Sequence, residues 1–179
     1  MVRWRILLLV VVIAGCGGEK ASEPAPDAPP GIELTSEAFK AGAPIPKRYT
    51  CDGDDRSPPL EIAGVPTTAR ALALIVEDPD APGGTYTHWT VFAIPGDTTA
   101  FPEGSPPAGA RQGENSGGDV SYGGPCPPEG DKAHRYSFLL YALKTELDLK
   151  QGAKPDEVRK QIDEHALARG KLVGTFKRG

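Results

Sequence analysis

The chain has 179 residues, a formal net charge of −4, and 39% hydrophobic and 25% charged residues, enough for one ordinary domain that buries its own core without staples. The acidic balance, with no basic run beyond the first residues, argues against nucleic acid as a partner. Gly and Pro, 22 and 19 residues, are spread without a period, which excludes collagen and a long low-complexity tract and implies many turns.

Arg3 and Arg5 stand before an uninterrupted apolar run, Ile6 to Ala14. The run is too short for a bilayer span, which takes about 20 residues, and has the length of a signal-peptide core. It ends in Ile13-Ala14-Gly15-Cys16, which resembles the lipobox of bacterial lipoproteins. The resemblance implies that residues 1–15 are a signal peptide and that Cys16 becomes the lipidated N-terminus. Several acyl chains, at about 0.8 kcal/mol per buried CH₂, anchor a protein stably. Loss of Arg3 and Arg5 takes the net charge from −4 to −6. Gly17 stands where some lipoproteins carry Asp as an inner-membrane retention signal. The expected location is therefore a bacterial membrane, the periplasmic side of the outer one if there are two.

Residues 17–31 have almost nothing to bury and read as a flexible Pro-rich linker, reaching on the order of 45 Å at about 3.1 Å per residue. The domain is expected over residues 32–179. Its first strand signal is the short Ile32–Leu34, followed by a loop over Gly42–Pro59. Ala71–Val76 is apolar on both faces and fits a central strand covered on both sides. After the Asp78–Thr85 loop, Tyr86–Ile94 alternates, with Tyr86, His88, Thr90, Phe92 and Ile94 on one face. A long Gly/Pro stretch from Pro95 to Gly130 reads as loop, and loops of that length are usually functional. His134–Leu143 alternates again, with His134, Tyr136, Phe138 and Leu140 on one face. Pro155 suits a first helical turn, with Asp156 and Glu157 at the positive end of the dipole. Val158, Ile162 and Ala166 recur at helical spacing, and Gly170 stands as the stop. A short strand over Leu172–Phe176 closes the chain. The class expected is mainly β, a two-sheet antiparallel sandwich with a helix near the C-terminus.

Residues able to do chemistry gather at the ends of the strong strands. Asp78 and Asp80 follow the central strand. Tyr86 and His88 share a face of the next, and His134 and Tyr136 repeat that pairing on the third. Between them runs Tyr122-Gly-Gly-Pro-Cys-Pro-Pro128, whose glycines let a backbone approach a ligand closely. Asp80 is expected to cap the turn and Asp78 to orient a histidine; His165 is expected to do no chemistry. With Cys16 lipidated, Cys51 and Cys126 remain as an even pair in an oxidising compartment, which favours a disulfide. The competing reading makes Cys126 a thiol nucleophile with His134 and Asp78 as base and orienter.

The run Asp78-Pro-Asp-Ala-Pro82, His88-Trp89, Gly124-Pro-Cys-Pro-Pro128 and His134-Arg-Tyr136 resembles the signature of the phosphatidylethanolamine-binding protein family. Within it, the chain is most similar to the bacterial Raf-kinase-inhibitor-like branch. Tyr49-Thr-Cys-Asp-Gly53, Ser57-Pro-Pro-Leu60, Glu146-Leu-Asp-Leu149 and Gly174-Thr175 also match, so the resemblance covers about Leu34 to Phe176. It implies two antiparallel sheets and an anion pocket at Asp78, His88, Gly124, Pro125, His134 and Tyr136, with an aromatic at Tyr86. The segment Asn115-Ser-Gly-Gly-Asp119 departs from the pattern, because relatives usually carry an aromatic there.

The preferred function is binding of a small anion, phosphate or a phospholipid-headgroup-like group, between His88 and His134. Backbone groups of Gly124 and Pro125 and the Tyr136 hydroxyl would add hydrogen bonds. Modulation of an envelope enzyme would follow; the protein partner is not legible. The alternatives are a small hydrolase using the His/Asp pair as acid and base, and a protease inhibitor, which the resemblance implies. A metal held by Asp78, His88 and His134 is a weaker option. No nucleophile-elbow, P-loop or zinc-protease motif is present, and neither a cofactor nor a metal is expected.

Overall fold

A computed structural model describes residues 26–179. The signal segment, Cys16 and the first part of the linker lie outside the described residues. Among those described, no helix is long and apolar enough to cross a membrane.

The elements in chain order are β1 (Glu33–Thr35), a 3-10 turn (Lys47–Tyr49), β2 (Leu60–Ala63), β3 (Ala71–Asp78), β4 (Tyr86–Pro95), β5 (Ala100–Phe101), β6 (Arg111–Gln112), β7 (His134–Leu143), α1 (Pro155–His165) and β8 (Ala166–Phe176). They form two antiparallel sheets, β1-β2-β5 and β6-β4-β3-β7-β8. The small sheet covers one face of the large one, and α1 covers the other.

The two-residue period of β3 divides the core accordingly. Leu72, Leu74 and Val76 point between the sheets with Leu60, Ile62, Trp89, Val91, Phe138 and Leu140. Ala73 and Ile75 point the other way, against Phe92, Leu139, Tyr141 and the helix residues Val158 and Ile162. At about 1.5–3 kcal/mol for each large apolar side chain removed from water, these two layers supply the main driving force for the fold. The both-sided apolar run at Ala71–Val76 thus marks a central strand with a layer on each side.

Three expectations about elements need correction. Strict alternation along β4 fails. Val76 pairs with Trp89 but Glu77 pairs with Thr87, so His88 is the extra residue of a β-bulge. A second irregularity surrounds Ala93, whose φ is +54°. His88 and Phe92 therefore face opposite layers. The helix is also shorter than its apolar spacing suggests. It ends at His165, and Ala166–Gly170 instead extends β8, pairing Ala168 with Ala142 and Gly170 with Leu140. Gly170 is no helix stop. A Cβ there would lie 2.7 Å from the Ile32 carbonyl oxygen, so this glycine admits the N-terminal segment against the sheet. Finally, the ordered chain starts before Ile32. Ala28 is buried, the Arg169 amide donates to the Pro29 carbonyl, and the Tyr141 hydroxyl donates to the Pro26 carbonyl. Residues 26–31, expected in the linker, line the free edge of β8.

Candidate functional site

The ladder of the large sheet explains why distant sequence positions meet. Asp78 pairs with Tyr86 across to β4, and Glu77 pairs with Ser137 across to β7. Asp78, His134 and Tyr136 therefore share the face that points between the sheets, at one end of the strands. The bulge turns His88 onto the same face, where its ring lies 4.8 Å from that of Tyr86 and 5.3 Å from that of Tyr136. A cavity of about 290 Å³ opens here, lined by Asp78, Tyr86, His88, His134, the Ala81-Pro82 turn and the Cys126–Pro128 loop.

Each polar group has a defined job. One Asp78 oxygen accepts the Asp80 amide at 2.8 Å and the other accepts Nδ1 of His134 at 2.7 Å. Asp78 thus both closes the turn and orients the histidine. Asp80, expected to cap the turn, instead accepts the Arg135 amide and binds its guanidinium through two contacts of 2.8 Å. That pairing holds the Asp80 carboxyl down at about 2.

The histidines differ. His88 donates Nδ1–H to the Gly123 carbonyl at 2.7 Å, since a carbonyl can only accept. This leaves Nε2 as the ring nitrogen that can serve a ligand. Burial pushes the His88 pKa below its ordinary value, against the pull of the Gly123 carbonyl and Asp78. His134 is sealed, with 1% of its side chain exposed, and both nitrogens face carboxylates: Nδ1 faces Asp78, and Nε2 faces Asp131 at 3.3 Å. Burial opposes its charge, but the two carboxylates more than offset it and raise its pKa. A metal bound by Asp78, His88 and His134 would have to displace Asp131 from Nε2 of His134. Among the described residues no cluster of His, Cys, Asp and Glu has a metal-binding arrangement.

The Tyr136 hydroxyl is fully buried beside Asp78 but makes no well-formed hydrogen bond among the described residues. Burial and the nearby Asp78 charge both push its pKa up. An unmet buried donor costs about 1–3 kcal/mol.

The Gly124 amide and the Pro125 carbonyl are turned to the loop at residues 49–55. The Gly124 amide donates to Asp55 at 2.7 Å, and the Pro125 carbonyl accepts the Cys51 amide at 3.2 Å. A Cβ on Gly124 would meet the Tyr49 carbonyl oxygen at 2.7 Å. The glycine therefore packs against the loop at residues 49–55 through its amide, while its backbone also reaches the His88 ring and helps favour the charged imidazole. A disulfide joins Cys126 to Cys51 with a Cα separation of 5.4 Å, so Cys126 is not a thiol nucleophile. The glycines of the 115–119 turn also find a reason. The Tyr86 hydroxyl lies 2.9 Å from where a Gly117 Cβ would be. This turn is tied internally by Asn115 Oδ1, which accepts the Gly117 and Asp119 amides.

Two groups near the site escaped the sequence reading. Asp131 sits three residues before His134 and carries no motif; a carboxylate one turn from a candidate histidine is the only signal. Arg159 of α1, 3% exposed, pairs with Glu77 at 2.9 Å and donates to Thr87 at 2.9 Å. It grips from behind the strand ends that carry Asp78 and His88. A charged residue between Val158 and Ile162 on the helix's inner side could have flagged it.

The comparisons with known proteins agree with this fold. A family model described as phosphatidylethanolamine-binding protein matches residues 35–177. A UPF0098 protein of Methanothermobacter thermautotrophicus is 48% identical over 153 residues, 83% of this chain and 100% of its own length. A Mycobacterium tuberculosis protein named "Putative lipoprotein LppC" is 40% identical over 187 residues, 95% of this chain and 92% of its own. The solved structure of the Chlamydia trachomatis homologue CT736 superposes with a TM-score of 0.78 and 40% identity, covering 83% of this chain and 99% of that one. With a model spanning the domain and relatives of this closeness, the chain belongs to the phosphatidylethanolamine-binding protein family.

Proposed function

We propose that this protein binds a small anionic group, phosphate or a phosphate-bearing headgroup, in the cavity beside His88. The observation that carries the reading is the pairing of one available imidazole nitrogen, Nε2 of His88, with the buried, unpartnered Tyr136 hydroxyl 5.3 Å away ring to ring. A phosphate oxygen placed between them would accept from both. Burial disfavours the charged form of His88 in the free protein. It would take up a proton as the anion binds, because an adjacent negative charge favours imidazolium. Tyr86 and the proline loop would wall the non-phosphate part of the ligand. The LppC name of a close relative supports the lipobox reading, and we extend it to this chain: Cys16 carries the anchor, and the domain works in the bacterial envelope, on the periplasmic side of the outer membrane where there are two. The test is calorimetric titration with inorganic phosphate. His88→Ala should weaken binding by about 1.5–3 kcal/mol, the worth of a charged hydrogen bond. His165→Ala, remote on α1, should leave it unchanged. Equal affinity in the His88 variant and the wild type would move the anion to another site.

A further inference from the structure

We propose that Asp131 is a built-in competitor for the anion: its carboxylate covers Nε2 of His134, and the full two-histidine site forms only when an incoming anion displaces it. This inference rests on the anion-binding reading of the cavity.

The argument starts from the two nitrogens of His134. Nδ1 is committed to Asp78, a contact between two side chains that are both almost fully buried. Nε2 is the remaining donor, and Asp131 Oδ2 stands 3.3 Å from it. With 1% of the His134 side chain exposed, Asp131 is the partner that Nε2 has among the described residues. The two carboxylates are not equal. The Asp78 side chain is 4% exposed and sits on a strand. The Asp131 side chain is 41% exposed and sits in a turn closed by its own amide on the Pro128 carbonyl, next to Gly130 at φ +81°. Asp78 is fixed and Asp131 is replaceable. Chemically, a carboxylate oxygen on an imidazole N–H is what a phosphate oxygen would be in the same position. The exchange trades one charge-assisted hydrogen bond for another. Specificity follows from it. A ligand must present an oxyanion strong enough to replace a carboxylate, so neutral and cationic groups stay bound to His88 alone or do not bind.

Asp131→Asn keeps the side-chain oxygen that accepts the Lys132 amide at 2.8 Å, so the turn survives, but it removes the charge on His134. Inorganic phosphate should then bind roughly fivefold more tightly, the most that a part-exposed ion pair contributes. The gain should vanish in the Asp131→Asn/His134→Ala double variant. Glu129→Gln removes a charge from the same loop, where Glu129 pairs with Arg178 at 3.7 Å, and should give no comparable gain. Three results would overturn the proposal while leaving the anion site intact: wild-type binding with no gain in Asp131→Asn, an equal gain in Glu129→Gln, or a gain that persists without His134. No phosphate binding in either wild type or Asp131→Asn would overturn the anion site itself and this inference with it.

Discussion

Tyr136→Phe separates binding from stability, because the two should move in opposite directions. The ring stays, with its edge contact to His88 and its place between the sheets. What leaves is one hydroxyl, fully buried and unpartnered. Its burial costs the free protein about 1–3 kcal/mol. The proximity of Asp78 returns part of that, so the net gain on deletion should be about 1 kcal/mol, or about 2–4 °C in Tm for a domain of this size. The ligand-bound state loses a hydrogen bond to an anion, worth about 1.5–3 kcal/mol, roughly a ten- to 150-fold rise in the phosphate Kd. Thermal unfolding by circular dichroism and phosphate calorimetry on the same samples check both halves. A variant that is destabilised by more than 1 kcal/mol and binds phosphate normally would refute the reasoning. The hydroxyl would then be a structural donor to Asp78.

The two histidines should give opposite pH responses. His88, depressed below 6.5, contributes stability that is complete above that value and declines as pH falls through its folded pKa. His134, raised above 6.5, contributes stability that is complete below that value and fades as pH rises through its folded pKa. Tm measured from pH 4.5 to 8.5 should peak near pH 6.5, and His88→Gln should flatten the acid limb alone. Phosphate affinity should fall as pH rises from the free to the bound pKa of His88; a flat profile in calorimetry would exclude imidazolium from binding. The disulfide closes a loop across 75 positions, so Cys51→Ala/Cys126→Ala should cost up to about 4 kcal/mol in urea unfolding. Cys16→Ser should abolish palmitate labelling and membrane association of the exported protein; unchanged labelling would end the anchor reading.

Much of the fold is legible because burial writes itself into sequence. β3 shows apolar residues on both faces, and β7 keeps a strict two-residue period. What strands announce less well is their irregularity. The bulge at His88 is a register event between two strands, fixed by pairing with Val76 and Glu77, and no window on β4 alone contains it. The Ala166–Gly170 error has the same root. The stretch Val158–Ile162–Ala166 satisfies helical spacing, yet β7 has a free edge that the backbone of Ala166–Gly170 completes, and tertiary pairing outweighs local propensity. At the site, the residue types and their strand ends were readable, but hydrogen-bond direction was not. Nothing in one dimension shows that Nδ1 of His88 is committed to Gly123, that Gly124 faces Asp55, or that Asp131 covers His134.

The docking of residues 26–31 along β8 gives the molecule a polarity. Pro26 meets Tyr141 near one end of β7, while His134 begins the other end, seven residues or about 23 Å away. The described chain thus begins at the end of β7 away from the cavity. On the lipoprotein reading proposed above, a flexible tether would join the domain at the end far from the cavity, so the cavity would meet the aqueous compartment in the extended arrangement. A ligand dissolved in that space reaches it without crossing the domain, whereas a headgroup in the anchoring membrane is met only if the domain topples onto its side.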